Sequence, residues 1–159
     1  MMWTITYIAL IAAINYGFTV VPLVTLPGGE KWPPMSLVVG FAFVARDFSQ
    51  REIGHGVLLA MLAGAVLSWW TANPFVAVAS GLAFLISELA DWAVYTWTKR
   101  PLAQRVLLSS AVGTPVDSVV FLWLIGHLSV AGVLTMTASK MLGALVVWWM
   151  LRRREVAVA

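Results

Sequence analysis

Apolar runs of membrane-spanning length follow one another along nearly the whole chain, and the breaks between them are short. A helix needs about 20 predominantly apolar residues to cross the hydrocarbon core. The 159 residues therefore accommodate six such helices and little else. With 61% hydrophobic and 11% charged residues, the outer surface must be largely apolar as well as the interior. The chain reads as a single transmembrane domain over residues 1–159, an all-α integral membrane protein.

The breaks fix the expected spans. Pro27, Gly28, Gly29, Pro33 and Pro34 make the longest connection, and Asn73-Pro74 makes a tight turn. Lys99-Arg100-Pro101 ends a fourth run, and Gly126 to Gly132 turns a fifth into a sixth. Helices are expected at about 3–24, 35–51, 54–72, 75–98, 104–127 and 131–151. Arg46-Asp47-Phe48-Ser49-Gln50-Arg51-Glu52 interrupts the apolar pattern where the second helix meets the third, so this segment lines a cavity or lies at a membrane surface. The first run has no basic segment before it and no small-residue cleavage site, and it reads as a retained helix.

Lys and Arg set the expected orientation. Arg46, Arg51, Lys99, Arg100, Arg105 and the run Arg152-Arg153-Arg154 fall on one side, against Lys31 on the other. By the positive-inside rule both termini face the cytoplasm, which makes this a multi-pass protein of the cell (inner) membrane. The same bias accounts for the net charge of +3 without a nucleic-acid partner. Trp3, Trp32, Trp69, Trp70, Trp97, Trp148 and Trp149 fall near span ends, as an aromatic belt would.

Against this background Glu88, Asp91 and Asp117 are out of place. A charge at mid-membrane costs about 2.5 to 3.5 kcal/mol on insertion scales and persists where it faces a cavity, a partner or a substrate. Helical spacing puts Phe84, Glu88, Asp91 and Tyr95 on one face of the fourth span and Ser110, Thr114, Asp117 and Phe121 on one face of the fifth. Pro115 frees a backbone carbonyl one turn earlier. Lys140 is the base in the sixth span, and Asn15 interrupts the first. Together these side chains could line one cavity.

Structural readings compete with functional ones. Lys140 with an acid would equally lock two helices together. Asp47 and Arg51, four apart with the acid first, suit a helix-stabilising pair. Asn15 suits an interhelical hydrogen bond, and Ala9, Ala13, Gly17 with Ala60 and Gly64 suit close helix packing. His55 and His127 fall at span ends. Three carboxylates against one intramembrane lysine exceed what structure alone requires.

Other chemistries are excluded or unsupported. The absence of cysteine rules out disulfides, thiolate catalysis and cysteine-held metals. Two separated histidines make no metal cage, and no hydrolase, metalloprotease or P-loop pattern is present. No enzyme activity, metal or cofactor is expected.

The spacing of the polar motifs resembles the VUT family of membrane transporters, whose characterised members take up queuosine precursors. Arg46-Asp47 is followed by Glu52-Ile53-Gly54. Next come Ser87-Glu88-Leu89-Ala90-Asp91 with the aromatic Trp92, and then Ser109-Ser110 leading to Asp117-Ser118 with Phe121. The likeness runs from about Phe41 to Leu151, and residues 22–34 stand outside it.

It implies a compact bundle of six transmembrane helices similar to the substrate-binding components of energy-coupling-factor transporters, working without an ATPase partner. The implied substrate is a 7-deazaguanine base such as 7-cyano-7-deazaguanine or its aminomethyl counterpart. One carboxylate can accept from the N1 hydrogen and the 2-amino group of such a base together. Glu88, Asp91 and Asp117 are the candidate acceptors, and Lys140 and Arg46 balance charge or meet O6. Asn15 completes the polar set, and Trp92, Tyr95 and Phe121 are the candidate stacking surfaces. Two other readings stay open, a substrate-capturing subunit energised by a separate complex and a non-transporting scaffold or assembly factor. Oligomeric state is not legible.

Overall fold

A computed structural model describes the backbone of residues 1–158 and the side chains of residues 1–75 and 78–153. Arg154, the last of the C-terminal arginines, lies outside the described side chains. Six α-helices account for most of the chain: α1 Met2–Val20, α2 Ser36–Ile53, α3 Val57–Thr71, α4 Pro74–Trp97, α5 Leu102–Leu124 and α6 Val130–Val158. Between α1 and α2 a short antiparallel hairpin, β1 (Val24–Thr25) and β2 (Lys31–Trp32), pairs Val24 with Trp32 and Thr25 with Lys31.

Local chemistry explains the boundaries. Asn73 caps α4 by accepting from the Phe75 backbone N–H at 3.0 Å, and Pro74 occupies the first helical position, where no N–H is needed. Gly54, at φ +59°, ends α2 in a conformation that side chains with a Cβ rarely adopt, and a single 3-10 turn over Gly54–Gly56 redirects the chain into α3. The expected first helix at 3–24 is too long. Val21 to Thr25 leave the helix, and the β-branched Val24 and Thr25 pair in the hairpin instead.

Among the described residues, five helical segments are long and apolar enough to cross a membrane, because α2, the turn and α3 form one 36-residue segment, Ser36–Thr71. Six separate spans were expected. The register along α1 shows what that segment does. Gly17 packs on Met35, and Thr4 meets Ser49 and Glu52, so α2 runs antiparallel to α1. Gly64 packs on Ile11, Ser68 meets Asn15, and the Asn73 N–H reaches Thr19, so α3 runs parallel to α1. The chain thus reverses at Gly54.

Every helix then alternates in direction between two ends of the bundle. The N-terminus, Arg51, Lys99, Arg100, Arg105, Arg152 and Arg153 lie toward one end, the basic end, and the β1–β2 hairpin, Asn73 and His127 toward the other, the hairpin end.

The helices pack through small residues where they cross closely. A Cβ on Gly40 of α2 would run into the carbonyl of Lys140 on α6, and Gly143 packs against the Gly40 backbone. Ala60 and Gly64 lie buried on α3, as packing positions should, whereas Ala9 and Ala13 are exposed and pack nothing inside the bundle. Helices α1 and α5 make no direct backbone packing with each other.

Candidate functional site

The buried polar residues form two groups rather than one cavity. The first surrounds Arg46, seven residues from the end of α2 and so about 10 Å inside the basic end. Its Nε donates to Glu88 Oε2 at 3.0 Å, and Nη2 donates to the Glu88 backbone carbonyl at 3.1 Å. Nη1 donates to Asp47 Oδ1 at 2.5 Å and to Gln50 Oε1 at 3.1 Å, and it lies 2.9 Å from Asp91 Oδ2 in an ion pair. Tyr7 donates its hydroxyl to Glu88 Oε2 at 2.8 Å, and Ser109 donates to Asp47 Oδ2 at 2.8 Å. The Tyr95 ring lies 5.9 Å from the guanidinium carbon. Arg46 and its three carboxylates are at most 1% exposed. Arg46 thus joins α2 to α4 directly, and Tyr7 and Ser109 bring in α1 and α5 through Glu88 and Asp47, in one buried knot.

The second group lies nearer the hairpin end. Lys140, fully buried on α6, donates to Asp117 Oδ2 at 2.5 Å and to Ser118 Oγ at 3.0 Å. Ser87 Oγ, beside Glu88 in the chain, shares its hydrogen between the Phe84 carbonyl at 3.0 Å and Asp117 Oδ1 at 3.3 Å and so touches the second group. Asp117 differs from the acids of the knot because it lines a cavity, together with Asn15, Phe18, Ser80, Phe84 and Phe121. This cavity occupies the space between α1 and α5. The Phe18 and Phe121 rings, 5.2 Å apart, approach across it on the hairpin side. At about 10 Å³ it holds a single water molecule at most, so a larger ligand requires the helices to part.

A wider groove, about 440 Å³, runs outside the bundle between α1, α2 and α6, lined by Trp3, Leu10, Phe41, Phe48, Val147 and Met150. Its near-total lack of polar groups gives it nothing with which to recognise a polar solute, and it opens on the face that lipid would cover.

Asn15, Asp117 and Phe121 therefore line the inner cavity, with Lys140 directly behind Asp117. Arg46, Glu88, Asp91 and Tyr95 belong to the knot instead. Trp92 joins neither group. It is half-buried, packs against the apolar cluster that includes Ile11 and Val57, and donates through Nε1 to His55 Nδ1 at 3.2 Å. Asp47 is not partnered by Arg51, which is exposed; it is held by Arg46 and Ser109. Trp32 is less a belt residue than a packing one, since its Nε1 donates to Ser139 Oγ at 2.9 Å beside the cluster that includes Phe121.

Sequence reasoning gave no role to Tyr7, Phe18, Gln50 and Ser80, and Ser87 and Ser109 entered only as parts of the spaced motifs. For α1 the signal existed. Thr4, Tyr7, Ile11, Asn15 and Phe18 recur at spacings of three and four, and this stripe faces inward, except for the partly buried Phe18, which bounds the cavity.

A multi-helix membrane protein with a lysine-paired carboxylate at the wall of an internal cavity has the build of a solute transporter. The chain belongs to the family described as "Putative vitamin uptake transporter", which it matches over residues 2–153. No curated protein and no solved structure matches it.

Proposed function

We propose that this chain is a secondary transporter that imports a 7-deazaguanine base, a queuosine precursor such as 7-cyano-7-deazaguanine, across the inner membrane. The observation that carries the reading is the pairing of Asp117 with Lys140 at the wall of a cavity bounded by Phe18, Phe84 and Phe121. A carboxylate beside an ammonium matches the Watson–Crick edge of such a base. Asp117 accepts from N1–H and the 2-amino group, Lys140 turns to donate to O6, and the phenylalanine rings cover the faces. The knot around Arg46 closes the basic side of the path, and the Phe18–Phe121 pair closes the hairpin side. Binding and release alternate by parting one closure at a time.

The reversal at Gly54 supports two crossings within Ser36–Thr71, which makes six spans in all. The basic end faces the cytoplasm by the positive-inside rule. A reporter fused after Ala159 is expected to be active only as a cytoplasmic one, and a reporter inserted between Gly28 and Gly29 only as an external one.

The test of function is uptake in a cell unable to make deazaguanine, expressing this chain alone, with modified tRNA as readout. Restored modification supports the reading. Restoration only when an ATPase module is co-expressed would make the chain a capture subunit, and none under any condition would leave a scaffold. Adenine is expected not to compete, since its N1 is an acceptor facing a carboxylate.

A further inference from the structure

One buried acceptor, on a residue that lines the cavity, has no partner. Asn15 is 3% exposed, and both hydrogens of its amide are committed, one to the Ile11 carbonyl at 3.0 Å and the other to Ser68 Oγ at 2.9 Å. Ser68 spends its own hydrogen on the Gly64 carbonyl at 2.8 Å, so toward Asn15 it acts only as an acceptor. Exchanging the amide's oxygen and nitrogen would set oxygen against oxygen at both contacts. Oδ1 is therefore the free end of a side chain that lines the cavity, and it has no hydrogen-bond partner. A buried acceptor left unmatched costs about 1 to 3 kcal/mol, which a ligand donor would recover.

Asn15 stands on α1 and Asp117 on α5, two helices whose backbones do not approach closely and that border the same cavity. A flat heterocycle held by Asp117 along one edge presents its opposite edge to α1. In a 7-deazaguanine that opposite edge carries N9. Because position 7 is carbon, the five-membered ring has one nitrogen, and in the free base its hydrogen cannot move elsewhere in the ring. It is an obligatory donor. In the nucleoside N9 is bonded to ribose and donates nothing.

We propose that Asn15 Oδ1 accepts the N9–H of the bound base and thereby restricts the site to free bases, excluding nucleosides and other N9-substituted forms. This rests on the deazaguanine reading of the cavity and adds a specificity-determining residue to it. Asp117 reads which base is present, and Asn15 reads whether it carries a sugar.

The experiment is equilibrium binding of 7-cyano-7-deazaguanine and of its 9-methyl derivative to the purified full-length protein in detergent. The wild type is expected to favour the free base by at least about tenfold, one hydrogen bond's worth of discrimination. Asn15→Leu keeps the side chain's size and removes the acceptor. It is expected to weaken free-base binding about tenfold and to bring the two ligands within about threefold of each other. Ser68→Ala removes a support of Asn15 and leaves Oδ1 in place, and it is expected to retain the wild-type preference.

Equal affinity of the wild type for both ligands overturns the role of Asn15 and leaves the deazaguanine reading intact. So does an Asn15→Leu protein that binds the free base like wild type, or a Ser68→Ala protein that loses the preference as completely as Asn15→Leu. Binding of neither ligand by the folded wild type overturns the deazaguanine reading, and the role of Asn15 with it.

Discussion

Around Arg46 nearly every donor of a fully buried guanidinium is matched to a carboxylate, an amide oxygen or a backbone carbonyl drawn from α2 and α4, with Tyr7 and Ser109 adding bonds from α1 and α5. Around Lys140 there are two contacts, both to α5, and the acid that receives one of them borders empty space. Both groups are buried charges in an apolar bundle, and by sequence alone they look alike. The difference lies in connectivity. A cation serving several helices at once has no freedom to rearrange without breaking them all, whereas a single lysine–aspartate pair can open for a ligand and close again. The first arrangement suits a lock, the second a binding site.

The strongest way to break this comparison is to remove Arg46. Arg46→Met leaves Asp47, Glu88 and Asp91 buried without their shared cation. Breaking a buried charge arrangement from one side costs about 3 to 5 kcal/mol. The protein is expected to disappear from the membrane fraction, or to unfold far below wild type on heating in detergent. Wild-type abundance and melting would show that the knot holds nothing together.

Next in size is Asp117→Asn, expected to reduce uptake by one to two orders of magnitude, from about 1 to 3 kcal/mol of mismatched donors on the base. It also strands Lys140, so some loss of stability accompanies it. The double variant Asp117→Asn/Lys140→Met removes both charges, and its melting temperature is expected to recover while uptake remains low. If uptake returned along with stability, the pair would be a helix lock like Arg46.

The helices and the intramembrane acids were legible because both are local properties. Apolar runs and breakers define spans, and a carboxylate inside a run announces itself. Partnership was not legible. Asp47 sits in a charge-dense stretch that resembles a surface junction, yet α2 continues six residues beyond it, and its partners are Arg46 next to it and Ser109, 62 residues away. The end of α1 was legible in Pro22, which pushes Val21 into extended backbone; an apolar run that continues to Val24 hides this stop, and Val24 pairs with Trp32 in the hairpin. The division of the acids into two groups depends on which helices touch, which no spacing rule encodes.

A narrower change sharpens the contrast by touching only the knot. Ser109→Ala removes the hydroxyl that bonds Asp47 Oδ2 and leaves the cavity wall as it is. A hydrogen bond to a charged group contributes about 1.5 to 3 kcal/mol, so a measurable drop in melting temperature is expected. The dissociation constant for the base should stay within about twofold of wild type. A large loss of affinity would mean that the two groups act as one site, linked through Ser87.

The smallest effect is expected at Trp92, which its place next to Asp91 makes look like a stacking surface. Its indole makes no polar contact with either group and bonds His55 at the basic end, at a half-exposed position. Trp92→Phe gives up that one bond and keeps an aromatic ring against Tyr7 and its neighbours. Surface-proximal changes of this kind usually alter stability by within about 0.5 kcal/mol. Uptake and affinity for the base should therefore be indistinguishable from wild type, whereas Phe121→Leu, at the wall of the cavity, should weaken binding severalfold through lost stacking. If the order were reversed, with Trp92 mattering and Phe121 not, the ligand would sit beside α4 at the basic end, and the assignment of lock and site would have to be exchanged.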